Sequence, residues 1–176
     1  MRQHFLGTMV RRTIPCLVIT LLALTGHVAA IDITVTGNAL NWALIPGTTN
    51  ENTTAIHLNV STASTTWSVT VTDALDNGKS SSSAGRMLEY NPTSSSWVNG
   101  GSMLAANLTV IGGSVSDVTG STATLGPTGK LIESGSAAAD KKQMNITLQQ
   151  PVAITDRRLT NGNVYRAILV FTGTES

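Results

Sequence analysis

The chain has 176 residues, 12% of them charged, and a formal net charge of +1. Eight of its eleven Lys and Arg and all ten Asp and Glu follow residue 30, so that part is near −2 and has no basic cluster, which excludes nucleic acid as an expected partner. The one cysteine, Cys16, precedes it, so no disulfide is available there.

Residues 1–30 read as an export signal. Arg2, Arg11 and Arg12 form a basic start, TIPCLVITLLALTG an apolar stretch, and Val28-Ala29-Ala30 a small-residue cleavage site. The expected product is a single domain over 31–176, secreted to the cell surface or beyond, and long enough to build one core. Ser and Thr supply about a quarter of it, a bias that suits exposed strand faces.

Ile31, Ile33 and Val35 alternate with Asp32, Thr34 and Thr36, which predicts a half-buried strand. Leu40, Trp42 and Leu44 repeat the pattern until Pro46-Gly47, and TTNENTT reads as a polar connection. Ile56, Leu58 and Val60 predict a third strand, and Trp67, Val69 and Val71 a fourth. The fourth runs into DALDNG, where Asn77-Gly78 favours a turn. NGKSSSSAG reads as a mobile surface loop.

Shorter strands are expected at Met87 to Tyr90, Trp97-Val98, Ala106 to Val110, Val115 to Val118, Ala123 to Leu125 and Lys130 to Glu133, and one helical turn in GSAAADKK. Met144, Ile146 and Leu148 restore the alternation, Pro151 interrupts it, and Val164 to Thr172 is the closing strand. About nine short strands with Gly, Pro, Asn and Ser connections describe an all-β protein, a single β-sandwich of immunoglobulin-like or jelly-roll type.

With one histidine after residue 30, His57, and no cysteine there, the common zinc sites and nucleophilic triads lack parts, so no enzyme, metal or cofactor is expected. His57 falls on the outward phase of its strand. Two carboxylate pairs fit glycosidase chemistry in type, Asp73 with Asp76 and Asp156 with Glu89, although Asp in DALDNG more often caps a turn; Asp73, Asp76 and Asn77 also carry hard oxygens of the kind calcium takes, without the EF-hand spacing. Sequons for N-glycosylation stand at Asn52, Asn59, Asn107 and Asn145, with Asn52 favoured because it falls in a loop. Trp42 and Trp67 lie on core phases, whereas Trp97, in SSSWVNGG, is the best exposed aromatic for ligand or subunit contact.

In VYRAILVF, Tyr165, Ala167, Leu169 and Phe171 share one face, and Val164, Ile168 and Val170 the other. A two-layer sandwich needs only one apolar face per strand, so Val164, Ile168 and Val170 form a candidate assembly face. No C-terminal apolar span, LPxTG-like pentapeptide or lipidated cysteine appears, so a surface role is expected to require binding or polymerisation. IDITVT, freed by signal cleavage, has the length and alternation of a donor strand that completes a neighbouring sandwich, with Ile31, Ile33 and Val35 filling its groove; the alternative is that it pairs within its own domain.

ITVTGNALNWAL, QPVAITD and VYRAILVFTG, together with the Thr-rich alternation, resemble small secreted β-sandwich proteins of prokaryotic and especially archaeal envelopes. Trp42-Ala43-Leu44 is similar to the W-x-L of WxL surface domains, with Val170-Phe171-Thr172 where their second motif would stand, and the layout resembles TasA-like and archaeal bundling-pilus subunits. The resemblance implies a non-enzymatic structural protein whose partner is itself, assembling into a filament or surface layer. The alternative expectation is a monomeric module that binds wall or surface glycan.

Overall fold

The computed structural model describes residues 30–37, 42–75 and 79–176, with the backbone alone at Thr54 and Ala55. Residues 1–29 of the expected export signal, along with Leu40, Asp76 and Asn77, lie outside the described residues. The chain is all-β. Its strands are β1 (Asp32–Gly37), β2 (Thr48–Thr62), β3 (Trp67–Asp73), β4 (Arg86–Asn91), β5 (Ser96–Trp97), β6 (Met103–Asn107), β7 (Thr109–Ile111), β8 (Val118–Gly120), β9 (Thr122–Thr124), β10 (Lys130–Gly135), β11 (Ala139–Val152), β12 (Val164–Arg166) and β13 (Leu169–Glu175). Several are only two or three residues long, which is why thirteen stand where about nine were expected. Among the described residues no helix is long and apolar enough to cross a membrane.

All strand pairs are antiparallel. The first sheet runs β1-β2-β11-β7-β9 and the second β13-β3-β10-β8; a small third sheet runs β12-β4-β5, with β6 also paired to β4. The core lies between the two larger sheets. Leu58 and Val60 of β2, Met144 and Ile146 of β11 and Val110 of β7 come from the first, and Trp67, Val69 and Val71 of β3 with Ile132 of β10 from the second. Met87 and Leu104 of the third sheet join the same cluster. The β3 side chains alternate buried and half-buried along their whole length, as a period of two with one solvated face dictates.

Four local expectations are corrected. TTNENTT is not a connection but the first half of β2, paired with β11 from Thr48↔Val152 onward. Its polarity is tolerated because Asn50, buried in the strand, accepts from Ile45 N and donates to the Ile45 and Gln150 carbonyls, so no amide is orphaned. Trp42 and Leu44 pack against the core without forming a strand. GSAAADKK forms no helical turn; β11 begins inside it at Ala139. Pro151 does not end β11 either: it pairs with Thr49 two residues past Gln149, the last position shared with β7, so its missing N–H interrupts no ladder on that side.

The serine-rich stretch is also ordered rather than a free loop. Ser81–Ser83 form a 3-10 turn, and Lys79, Ser83, Ala84 and Gly85 are buried. Gly85 has φ +83, and a Cβ there would collide with the Leu125 carbonyl, so the chain passes through a space that only glycine fits.

Candidate functional site

Some of the residues expected to mediate assembly lie on β1 and β13, edge strands of the two larger sheets that touch each other. β1 lies antiparallel on β2, from Asp32↔Ser61 to Gly37↔Ile56, and forms the edge of the first sheet. Ile31 and Ile33 are half-buried and packed on the core, whereas Val35, on the same phase, is 41% exposed. β13, the edge of the second sheet, lies against them: a Cβ on Gly173 would strike the side chains of Ile31 and Ile33. The Thr62 hydroxyl of β2 donates to the Glu175 carboxylate of β13, tying the strand beneath β1 to the edge of the second sheet. IDITVT therefore pairs within its own chain in this structure.

The closing strand is split. Val164–Arg166 pairs with β4 in the third sheet, the chain crosses at Ala167-Ile168, and Leu169–Glu175 pairs with β3 in the second. The phase of the two faces survives the crossing: Tyr165, Ala167, Leu169 and Phe171 pack on the core, while Val164 and Val170 are 46% and 42% exposed and Ile168 is half-buried. The candidate assembly face is thus shared between two sheets.

Of the two carboxylate pairs, the described members Asp73, Asp156 and Glu89 all accept hydrogen bonds from the fold. Asp73 is buried against Lys79 and accepts from Gly85 N at 2.7 Å, which removes it from the solvent that a substrate or calcium ion would enter through. Asp156 accepts from Ala105 N with one oxygen and Ala153 N with the other, at 3.0 and 2.7 Å. Glu89 accepts from Ser102 N at 2.8 Å and Asn163 Nδ2 at 2.7 Å, and the Ser102 amide first, then Asn163, holds its carboxyl below the usual range. The pair does share a neighbourhood, because Arg157 reaches Ser102 and Tyr165 Oη donates to the Arg157 carbonyl. Burial raises the Tyr165 phenol, with the Asp156 and Glu89 charges adding to the effect. Every oxygen of the two carboxylates is engaged by a backbone or amide donor, the arrangement of a turn clasp.

Trp97 is not an exposed platform. It is half-buried, packs edge-to-face on Tyr90 with ring centroids 5.3 Å apart, and lies 5.6 Å from Lys79 Nζ. His57 faces outward as expected, with Nδ1 2.8 Å from Asn145 Oδ1. Of the sequons, Asn52 lies in β2 rather than in a loop, Asn59 is half-buried in the same strand, and Asn107 donates to the Leu125 carbonyl at 2.7 Å; Asn145 is the exposed one.

Two buried charged groups were not foreseen. Lys79 lies in a segment read as a loop, and Glu133 is buried next to the equally buried Ile132 because a register shift between Leu131 and Glu133 interrupts the alternation. A shallow surface groove of about 350 Å³ lies between Gly47–Thr49, Ala105-Ala106 and Pro151–Ala153, with no charged lining residue. Among the described residues, no group of three or more His, Cys, Asp or Glu could hold a metal ion. Comparison with known proteins finds no matching family, no matching curated protein and no matching solved structure.

Proposed function

We propose that this protein is a non-enzymatic structural component of the cell surface that assembles with copies of itself into an extracellular filament or surface layer. One observation carries the reading. The edges at β8, β9 and β12 are three residues long, short enough to be poor templates, whereas β1 and β13 run six and seven residues and lie together on one side. Neither carries a lysine or proline, the usual devices against edge pairing. The partly exposed Val35, Val164 and Val170 add apolar surface that a second copy would cover.

The ladder between β1 and β2 supplies the mechanism. The same six residue pairs form whether β1 comes from its own chain or from a neighbour, so exchange of β1 costs no pairing and links copies in a row. The export signal read at residues 1–30 accords with this location.

Deleting Ile31 to Thr36 tests it. The truncated protein would expose the outer edge of β2 and lose two half-buried isoleucines, roughly 1 to 2 kcal/mol apiece. It is expected to remain unassembled, and a synthetic IDITVTGN peptide is expected to bind it and raise its melting temperature. Assembly that persists in the truncated protein would contradict the role given to β1.

A further inference from the structure

The side chains of Asp73 and Lys79 are both wholly removed from solvent, and Lys79 Nζ is in direct contact with Asp73 Oδ2. Asp73 closes β3, opposite Leu169 of β13, and Lys79 follows it closely, just before the 3-10 turn Ser81–Ser83. Oδ2 also accepts from Gly85 N at 2.7 Å, while the equally buried Oδ1 accepts no hydrogen bond among the described residues. The indole of Trp97 stands 5.6 Å from Nζ, so a ring lines the site on that side. An ammonium and a carboxylate in such a place have lost their hydration, and a single proton transfer between them leaves an amine and a carboxylic acid in contact. Held in contact, a neutral amine and a carboxyl group are positioned to condense, because folding has already met the entropy of bringing them together.

The geometry points to an intramolecular amide bond between Lys79 Nζ and Asp73 Cγ, formed by the folded chain itself. A proton passes from the ammonium to Oδ1, and the nitrogen lone pair then attacks Cγ. Charge that builds on Oδ2 meets the Gly85 N–H already aimed at it, in the manner of an oxyanion hole with one donor. The Cγ–Oδ1 bond breaks, Oδ1 takes a second proton from the nitrogen, and one water leaves. The amide keeps one N–H, Oδ2 becomes its carbonyl oxygen, and no oxidant or activating group is consumed. The link closes the connection from β3 towards β4 covalently in a region without cysteine.

The intact mass of the purified full chain, measured after its N-terminus is determined, decides the matter. The expected value lies below the sequence mass by one water, about 18 Da. Trypsin should fail to cut after Lys79, and the deficit should map to a fragment containing both Asp73 and Lys79. Lys79→Met should restore the full mass, whether or not that variant folds well. A wild-type protein of full mass overturns the proposal. So does a water-sized deficit that mild alkali reverses, since that is a cyclic imide at Asp76-Asn77, or one that persists in Lys79→Met.

Discussion

Trp67→Ala is expected to lower the free energy of unfolding by about 3–5 kcal/mol, a large share of the roughly 5–15 kcal/mol that holds a domain of this size. Trp67 is only 1% exposed and opens β3, paired with Gly135 of β10 on one side and Glu175 of β13 on the other. Its indole lies over Gly135, where a Cβ would fall inside the ring, so the two residues fit each other. Its Nε1 donates to the Ala137 carbonyl at 2.9 Å. Truncation leaves a cavity the size of an indole between the large sheets and strips a partner from that carbonyl. The half-buried Trp42, outside any strand, should cost much less when changed to alanine. Urea denaturation of both variants checks this, and a Trp67→Ala loss under 1 kcal/mol would contradict the placement of the core.

Stability is expected to fall as pH rises from about 4.5 to 7, and Glu133 is the cause. Its side chain is buried in β10 between Val69 of β3 and Gly120 of β8, and burial raises its pKa from 4.5 to about 7 against the opposing hydrogen bond from Gly113 N. The folded state therefore holds a proton that the unfolded chain has released. The favourable contribution is fully present below the unfolded value and is gone once pH passes the folded one, a change of about 2–3 kcal/mol. Glu89 and Asp117, whose carboxyls are held below their usual range, act in the opposite sense, losing stability as pH falls through their folded values. Glu133→Gln keeps the shape without the charge, so its stability should show no slope between pH 4.5 and 7 beyond what the other groups give. Denaturation at pH 5 and pH 8 measures the difference, and equal slopes in the two proteins would show that Glu133 is not the source.

How much of this was legible in the sequence depends on the range of the interaction. Alternation is a local signal, and it located β1, the second half of β2, β3 and most of β11, with Ile56, Leu58, Val60, Met144, Ile146 and Leu148 all turned to the core. It also assigned the two faces of Tyr165 to Phe171, although the strand divides between sheets at Ala167-Ile168, because a crossing between packed sheets leaves the side-chain phase unchanged. What failed depends on distant partners. TTNENTT is strand because β11 lies beside it, Lys79 is buried because Asp73 receives it, and Glu133 points inward because a bulge shifts the register by one. Trp97 read as exposed from its serine neighbours, and its cover comes from Tyr90 and Lys79. The burial phases of Ile31, Ile33, Val164 and Val170 were legible in the sequence, but not the contact of β13 with β1 at Gly173, which joins residues far apart in the chain.

Electron microscopy of the purified protein, begun from monomer and followed as concentration rises, tests the central claim of self-assembly most directly. The proposed exchange of β1 onto the β2 of a neighbour predicts uniform filaments or sheets whose repeat is one sandwich. A monodisperse particle of single-chain mass at high concentration, with the β1 amides protected from hydrogen exchange, would contradict it.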